Sequence, residues 1–561
     1  MRVFALLIAL LPLLASAQPP MPSGATYGEE GYVVHNATVY TGFANAPTVE
    51  AFAVQAGRIR TVGSESAVFT AYPDWPRVDA GGRTIIPGLI DAHAHLMGLG
   101  TSLLQADLVG TASKAEIVER LQAFAADLPE GAWVTGRGWD QNDWGGDGAF
   151  PTRADLDTAF PDRPVWLSRV DGHADWANTA ALRAAGIDPE AAAPEDPEGG
   201  AVIQDEQGRP TGVFIDAAAG LVQRAVPAPD QAFYTEALER ALQETVRYGL
   251  TGIHEAGVSL STLDLYRQFA EEGRFPIRNY AMITPGEIDA FCEAHPYGVD
   301  EFDSRLVVQS VKLYADGALG SRGAALHDPY ADDPGNRGLL FQSSGELYNT
   351  VYKAMACNLQ VNTHAIGDRA NSEVLQAYTS VMDLGIGIRR RHRIEHAQIL
   401  RLQDIDTFSQ YGIIASVQPT HATSDMPWVE ARVGERAIGA YAWRRLLDAG
   451  VQIALGSDFP VERVNPLLGF YAAVTRQDLE GMPEGGWFGD QVLTRQEALH
   501  GFTLGAAYAA SMEAKAGAIL PGRYADFVIL SHDIMQVPAE EILDTAVLAT
   551  YIGGERVYVA E

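Results

Sequence analysis

The chain has 561 residues, with 72 Asp and Glu side chains against 40 Lys and Arg, and its formal net charge at pH 7 is −32. No basic run occurs along the chain, which argues against a nucleic-acid partner and against docking on an anionic membrane surface. Apolar residues make up 47% and charged residues 20% of the sequence, the proportions of an ordinary globular protein. A chain of this length predicts two to four domains, or one large barrel with additions.

Residues 1–17 have the pattern of a secretory signal peptide. Arg2 precedes an apolar stretch from Val3 to Leu14, and small residues lead to Ala17. The apolar stretch is shorter than the ~20 residues that a membrane-spanning helix needs. We therefore expect cleavage after Ala17 and a periplasmic or secreted mature protein, beginning near Gln18, without a membrane anchor.

The chain contains two cysteines, Cys292 and Cys357. Neither a disulfide scaffold nor a Cys-rich metal site is therefore available. An oxidising compartment would permit a bond between them. Both residues lie in apolar periodic stretches, however, and the sequence favours two buried free thiols.

Both ends of the chain have the alternating pattern of short antiparallel strands. The candidate strands are 31–40, 51–63 and 83–86 near the start, and 522–531 and 546–559 near the end. Gly553-Gly554 is typical of a hairpin turn. We expect residues 28–86 and 510–561 to form one composite β-sandwich domain.

Between the two ends, strand and helix patterns alternate. The candidate strands are 85–90, 251–256, 277–283, 306–314, 359–364, 391–396, 413–418 and 452–456. Eight strands separated by helical or loop stretches predict an α/β fold, a (β/α)₈ barrel over residues 87–509.

The spacing of these strands is even except between the first and the second. We expect an insertion at about 100–245 in this gap. It should contain helices at 114–127 and 230–248 and strands at 132–137 and 164–169.

Candidate metal ligands cluster where the barrel strands end. His93 and His95 follow the first strand and project to the same side of it, with Asp91 behind them. Such a pair is a moderate signal, since on an exposed strand it is often incidental.

Further candidates strengthen this interpretation. His364, His396 and Asp458 each lie where a later strand stops, and barrel enzymes build their active sites from those ends. Four His and one Asp suit Zn²⁺ or a similar divalent ion, and the absence of thiolate ligands favours a catalytic site over a closed structural one.

At these motifs the chain resembles the amidohydrolase superfamily, and within it the YtcJ-like branch (amidohydrolase family 3), which is related to N-substituted formamide deformylases. The motifs that carry the resemblance are Gly88-Leu-Ile-Asp-Ala-His-Ala-His95, Val311-Lys-Leu-Tyr-Ala-Asp-Gly-Ala-Leu-Gly-Ser-Arg322, Asn362-Thr-His-Ala-Ile-Gly-Asp368, Ile394-Glu-His-Ala397 and Leu455-Gly-Ser-Asp-Phe-Pro460. Two further motifs of the branch are Asp171-Gly-His-Ala-Asp-Trp-Ala-Asn178 and Pro210-Thr-Gly-Val-Phe214. Together the motifs span nearly the whole mature chain.

The resemblance implies a centre with one or two divalent metal ions, with zinc as the expected metal. It implies that His93 and His95 bind one ion and that His364 and His396 bind the second. It also implies that Asp458 is both a metal ligand and the general base of the reaction.

Lys312 would bridge the two ions. A lysine ammonium has no lone pair, so Lys312 can bind metal only after its amine has reacted with CO₂ to give a carbamate, a carboxylated lysine. The alternative is a buried, ion-paired lysine.

Three further residues are predicted on the substrate side. His173, in the insertion, is either a donor to the substrate or a residue that stabilises its loop. Arg322 holds either a substrate carboxylate or its own loop. His421 ends the seventh strand and either reaches the pocket or lies at the surface.

Two residues receive supporting roles. Glu395 should point to the other side of its strand from His396, where packing or a salt bridge with Arg393 would hold it. Asp368 should accept a hydrogen bond from His364, because metal-bound imidazoles usually have such a partner.

Three classes of function remain open. The first is a metal-dependent hydrolase that cleaves the C–N bond of an amide or formamide in a small molecule. The second keeps the fold but is a deaminase, or an ester or phosphotriester hydrolase. The third is a binding protein without turnover, which the complete set of ligands argues against. A homodimer is left open.

Overall fold

The computed structural model describes residues 31–43, 47–129, 131–144, 149–170, 172, 174–197 and 200–561. The predicted signal peptide lies outside these residues. The described chain contains three sheets: one is built from both chain ends, one forms a barrel and one lies in the insertion. The predicted α/β fold class is confirmed.

The barrel sheet has eight parallel strands in chain order, so all eight predicted strands are present. Nearly every residue in them is buried, as expected for strands covered on both faces. The strands are Leu89–Ala94, Leu250–Val258, Arg278–Ile283, Leu306–Tyr314, Gln360–Ala365, Arg393–His396, Ile414–Val417 and Ile453–Leu455. A short strand, Val299–Glu301, pairs antiparallel with the fourth barrel strand.

The first predicted strand, 85–90, is divided between two sheets. Its first half ends the strand Arg77–Pro87, which belongs to the sheet built from both chain ends. Its second half begins the barrel strand Leu89–Ala94. Gly88 joins them, and a Cβ there would lie 2.2 Å from the hydroxyl oxygen of Thr251. Only glycine lets the backbone pass this close to the second barrel strand.

Hydrogen bonds join the first and last barrel strands. The Asp458 amide donates to the His93 carbonyl at 2.8 Å. The Asp91 carboxylate accepts from the Ser457 hydroxyl at 2.6 Å and from the Ser457 amide at 3.0 Å. Burial raises the pKa of Asp91 to about 7. These bonds nearly close the barrel and fix the segments that carry His93 and Asp458.

Helices cover the outside of the barrel, and several begin at side-chain caps. Ser343 and Glu346, for example, form a reciprocal capping box at the start of one of them. The barrel helices are Leu96–Ser102, Gln231–Arg247, Leu260–Glu271, Ile288–Ala294, Ser344–Ala356, Asp368–Met382, Ile405–Tyr411, Pro419–Asp425, Val429–Val433, Trp443–Asp448, Pro466–Thr475, Arg495–His500 and Ala506–Ala509.

The insertion follows the first barrel strand, as predicted, and contains a six-stranded sheet. The helix predicted at 230–248 is Gln231–Arg247, and it belongs to the barrel instead, because it packs against Leu96–Ser102 and the second barrel strand. The core of the insertion includes Trp139, Trp144 and Trp176, with ring centroids 6.0 to 6.2 Å apart. The strands are Ala106–Asp107, Val134–Trp139, Val165–Arg169, Ala174–Ala177, Gly200–Gln204 and Pro210–Asp216, and the helices are Lys114–Ala125, Arg153–Asp157, Thr179–Ala184 and Gly220–Gln223.

Strands from both chain ends form one eight-stranded sheet. The strand Arg77–Pro87 lies between a parallel N-terminal partner and an antiparallel C-terminal partner. The sheet contains Tyr32–Tyr40, Thr48–Val49, Ala51–Gln55, Arg58–Gly63, Arg77–Pro87, Phe527–Leu530, Val547–Ile552 and Glu555–Val559, beside the helix Glu65–Ala71. The predicted strand 51–63 is two strands, because Ala56 and Gly57 turn the chain with positive φ angles.

The prediction of two free thiols is wrong, because the structure joins Cys292 and Cys357 in a disulfide. Cys292 lies in the helix Ile288–Ala294, and Cys357 ends the helix Ser344–Ala356. The barrel brings these helices together and places the two Cα atoms 6.1 Å apart, a proximity that apolar periodicity does not reveal. None of the helices in the described chain is long and apolar enough to span a membrane.

Candidate active site

The barrel brings most of the predicted metal ligands to one point. Ligand atoms of His93, His396 and Asp458 all lie within 4.8 Å of one another, and the three residues are buried. The His364 ring centroid lies 4.6 Å from that of His396. These residues follow four different strands, so the cluster exists only because the strands end at the same face of the barrel.

His93 and His95 approach Asp458 from the first strand. The Asp458 Oδ1 atom lies 3.5 Å from His93 Nε2 and 3.0 Å from His95 Nε2. The His93 side chain is fully buried, whereas 32% of the His95 side chain is exposed. His93 therefore lies at the bottom of the site and His95 at its opening.

Left-handed backbone conformations occur at two of these residues. His396 has a φ of 73° and Asp458 a φ of 63°. Such conformations are rare for residues other than glycine and are often found at functional sites. At His396 the turn of the backbone breaks the strict alternation of the strand, so that both Glu395 and His396 reach the site.

The role of Glu395 is the main feature that the sequence did not reveal. The predicted salt bridge is present, with Glu395 Oε1 3.0 Å from Arg393 Nε. The predicted orientation is wrong, because Glu395 lies inside the barrel, where its Oε2 is 2.6 Å from His93 Nδ1. Arg393 and Glu395 share one face of the strand, and this alternation could have identified the face that points inward.

Glu395 sets the proton position on His93. Burial raises the pKa of Glu395, but Arg393 and His93 lower it more strongly, to about 2. The ionised carboxylate can only accept, so His93 Nδ1 carries the proton and Nε2 presents a lone pair towards the site.

The other site residues have pKa values that suit metal binding. Burial, followed by the charge of Lys312, lowers the pKa of His93 to about 4 and that of His364 to about 3. Burial also lowers the pKa of His396 well below its usual value of 6.5. For Asp458, burial raises the pKa, but attraction to His93 and neighbouring imidazoles lowers it well below 3.8. At neutral pH the site therefore contains neutral imidazoles and an ionised carboxylate.

Lys312 lies in the middle of this group. Its side chain is buried, and Nζ is 3.0 Å from His93 Nε2. Nζ also lies 4.9 Å from the centroid of the Tyr314 ring. Lys312 forms no ion pair with a carboxylate in the part of the chain that the structure describes. Burial lowers its pKa to about 8.

The acid nearest to His364 is not the predicted one. Asp368 accepts a hydrogen bond from the His327 amide, and none of the hydrogen bonds among the described residues joins it to His364, so the prediction that it anchors His364 is wrong. Asp316 Oδ1 lies 3.6 Å from His364 Nε2 instead. The Asp316 carboxylate also accepts from the amides of residues 325, 366 and 367, and it thereby holds the loop that follows His364.

His421 reaches the site from the short helix after the seventh strand. Its Nε2 lies 3.8 Å from Asp458 Oδ2, and its ring stacks on His396 with centroids 5.8 Å apart. Gln418 Oε1 is 2.7 Å from His396 Nδ1 and thus orients the His396 ring. His421 therefore lies beside Asp458 and His396 and not at the surface, and its role towards a substrate stays a prediction.

Arg322 and His173 have different outcomes. Arg322 Nη2 lies 2.9 Å from Asp332 Oδ2, with a second bond from Nε at 3.3 Å, so the contact observed for Arg322 is with its own loop. His173 lies outside the described residues, and its substrate-side role stays a prediction.

Several atoms of the cluster have unsatisfied hydrogen-bonding capacity. Asp458 Oδ1, His364 Nε2 and His421 Nε2 are buried and make no hydrogen bond with the described residues. Buried polar atoms without a protein partner are rare, and they commonly bind an ion or a water molecule. Nitrogen and oxygen donors in a neutral-imidazole and carboxylate environment fit a divalent ion such as zinc. The residues present therefore suit the metal centre that the sequence predicts.

Similarity to known proteins agrees with this geometry. The model of the amidohydrolase family matches residues 77–558. The YtcJ protein of Bacillus subtilis is 34% identical over 536 residues, which cover 93% of this chain and 98% of that protein. The N-substituted formamide deformylase of Arthrobacter pascens is 28% identical over 548 residues, 93% of this chain and 97% of the relative.

A solved structure shares the whole architecture. An uncharacterized metal-dependent hydrolase from Pyrococcus horikoshii has a TM-score of 0.76 and 28% identity, and the match covers 91% of this chain and 99% of that one. A zinc-bound atrazine chlorohydrolase, TrzN, from Arthrobacter aurescens has a TM-score of 0.53 at 14% identity and shares the fold alone. Since the family model covers most of the chain and YtcJ matches almost end to end, this protein belongs to the amidohydrolase family and is a hydrolase.

Proposed function

We propose that this protein is a metal-dependent hydrolase that cleaves the C–N bond of an amide or formamide in a small molecule. The observation that carries the proposal is the convergence of neutral imidazoles and one buried carboxylate, Asp458, at the end of the barrel. The similarity to an N-substituted formamide deformylase supports the choice of bond.

The same residues would hold the metal. His93, His95 and Asp458 would bind one ion, and His364 and His396 would bind a second. Zinc is the metal that best suits this donor set. When bound, it lowers the pKa of a water molecule towards ~7 and polarises the carbonyl of the substrate.

Asp458 is the residue that moves the proton. Its carboxylate is ionised at neutral pH and can accept a proton from the attacking water. A bond then forms between the water oxygen and the carbonyl carbon, and the C–N bond breaks. Asp458 returns the proton to the leaving nitrogen. His421, whose Nε2 has no partner among the described residues, is placed to donate to the substrate oxygen.

We also propose that Lys312 is carboxylated. Its lowered pKa leaves part of the amine neutral at physiological pH, and a neutral amine can attack CO₂. The N–C bond forms and a proton is released, which leaves a carbamate with two oxygens. The lack of an ion pair with any described carboxylate supports this role over that of a salt-bridged lysine.

A panel of substrates tests the function. The metal-loaded protein should hydrolyse amides or formamides faster than cyclic imides, esters or phosphotriesters, and a chelator should abolish turnover. His93→Ala should lose the metal, whereas the exposed histidine variant His532→Ala should retain both metal and turnover. Preferred turnover on esters or phosphotriesters, or the release of ammonia from an amino-substituted ring, would favour the other chemistries of this fold. Full metal content without turnover on any class would favour a binding protein.

We propose in addition that the protein is exported, to the periplasm or the medium. The signal-peptide pattern of residues 1–17 supports export, and the disulfide between Cys292 and Cys357 suits an oxidising compartment. Intact-mass analysis of native material should give a chain that begins near Gln18. A chain that still begins at Met1 in the cytoplasmic fraction would contradict this.

A further inference from the structure

A cavity of about 520 Å³ opens beside His95. This volume lies in the range of small-molecule sites, ~300–1,000 Å³. One part of its wall is apolar and comes from Met97, Val258, Pro460 and Val461. The cavity therefore begins at a predicted metal ligand and continues along an apolar surface.

Arg137 lies on the wall of this cavity and is the one Lys or Arg among the described residues that line it. It comes from the insertion strand Val134–Trp139. Its Nη2 donates to the Val170 carbonyl at 3.1 Å, and it forms no ion pair with a carboxylate of the described residues. A guanidinium has five N–H donors, so most of those of Arg137 are available to a ligand.

The local backbone directs Arg137 towards the cavity. The pairing of its strand with Val165–Arg169 shifts register between Arg137 and Trp139. Gly138, between them, has a φ of +109°, and a Cβ there would lie 2.4 Å from a Val109 side-chain carbon. Bulges of this kind redirect a side chain, and they are frequent beside active sites.

Arg322 offers a useful contrast. In the sequence analysis Arg322 was the candidate for binding a substrate carboxylate. In the structure it makes two hydrogen bonds to Asp332. A carboxylate would have to displace Asp332 in order to bind it. Arg137 has no such competitor, and a planar guanidinium binds a carboxylate well through two parallel hydrogen bonds.

We propose that Arg137 binds a carboxylate of the substrate. The substrate class is then an amide or formamide that carries a carboxylate at the far end of an apolar spacer, with the scissile bond near His95 and Asp458. This inference rests on the proposed function, which supplies the position of the scissile bond.

The surrounding charges limit where the carboxylate can lie. Arg137 also lines a neighbouring cavity of about 580 Å³, in which Asp107, Glu244 and Glu462 are found. These acids would repel an anion that extended beyond Arg137. The net charge of −32 also disfavours anions at the surface in general, so the binding of one requires a local cation.

Paired substrates test the proposal. N-formyl derivatives of ω-amino acids, with spacers of several lengths, are compared with N-formyl alkylamines of the same lengths. For the best spacer, the wild-type kcat/KM should favour the carboxylate by about tenfold or more, as expected for a charge-assisted contact. Arg137→Met should remove this preference, and it should do so mainly by raising KM for the carboxylate series. Arg137→Lys should give an intermediate preference, because it keeps the charge but loses the paired hydrogen bonds.

Arg463→Met is the matched control. Arg463 is exposed and lines the neighbouring cavity but not the cavity beside His95. Its replacement by methionine changes the net charge by the same amount as Arg137→Met. The control should keep the preference for the carboxylate. Equal kcat/KM values for the two series in the wild type, an unchanged preference in Arg137→Met, or the same loss in Arg463→Met would each overturn the proposal.

A binding measurement separates this proposal from the proposed function. If no amide is hydrolysed, calorimetry with N-formyl-6-aminohexanoate still reports on Arg137. Binding to the wild type that weakens about tenfold or more in Arg137→Met, but not in Arg463→Met, would support the carboxylate site even though the amide hydrolase proposal had failed. No binding to the wild type, or equal binding to all three proteins, would overturn it.

Discussion

The contact between Glu395 and His93 leads to a prediction with two separate readouts. Glu395 accepts from His93 Nδ1 at 2.6 Å and lies 3.0 Å from Arg393 Nε, and all three side chains are fully buried. Glu395→Gln keeps the shape of the side chain and removes its charge. A glutamine has one acceptor oxygen, so its NH₂ group must face either the Arg393 donor or the protonated Nδ1 of His93.

The expected size of the effect follows from the neighbours. Removal of one partner from a buried ion pair costs ~3–5 kcal/mol, because the other charge is left uncompensated. Arg393 keeps contacts with Asn362 Oδ1 at 3.1 Å and with His254 Nδ1 at 2.8 Å. We therefore expect the lower end of this range, about 3 kcal/mol, for the metal-free protein.

The second effect concerns the metal. If the His93 proton moves to Nε2 to avoid the glutamine NH₂, the lone pair that faces the site is lost. Loss of such an orienting partner costs ~10–100-fold in metal affinity. Urea unfolding of the metal-free protein measures the first effect, and zinc competition with a chromophoric chelator measures the second.

Glu497→Gln is the control for both measurements. Glu497 Oε2 lies 2.5 Å from Arg444 Nη2, but about a third of its side chain is exposed. A surface pair contributes about 1 kcal/mol or less, and glutamine can also serve in the capping box that Glu497 forms with Thr494. If Glu395→Gln bound zinc as tightly as the wild type and unfolded like the control, the role given to Glu395 would be wrong.

Three further predictions concern the metal centre and the assembly of the fold. Lys312→Ala should reduce the metal content from two ions per chain towards one or none, and short carboxylates should restore it in part; two ions with normal turnover would remove Lys312 from the site. Asp458→Asn should keep much of the metal but lose most turnover on a confirmed substrate, and a kcat near that of the wild type would refute its role as base. Deletion of residues 517–561 should unfold the N-terminal strands as well, because it removes their C-terminal partner and leaves buried Arg278 without Asp526; circular dichroism and melting unchanged from the full chain would contradict this.

The candidate site illustrates which contacts a sequence pattern can predict. His93 and His95 share a side of the first strand, and alternation along a strand is a local property that the residues themselves determine. Asp316 and Asp368, by contrast, both follow barrel strands and are both plausible partners for His364. Their distances to His364 depend on how two separate loops fold over the barrel, and no local pattern distinguishes them.

The sequence by itself determined the order of the elements and the motifs at the strand ends. Alternating strand and helix patterns leave few other architectures, even though some barrel strands, such as Gln360–Ala365 and Arg393–His396, contain several polar residues. The sequence could therefore predict the eight barrel strands and the insertion after the first of them. It could also predict that one sheet contains strands from both chain ends.

Tertiary structure decided the contacts between segments far apart in the chain. It placed Glu395 against His93, joined Cys292 to Cys357 and set Arg137 on the wall of the cavity beside His95. In each case the partner residues belong to different elements, so their proximity depends on strand register, helix packing and left-handed backbone turns. Local periodicity records which face of an element is apolar, but it carries no information about which distant residue that face will meet.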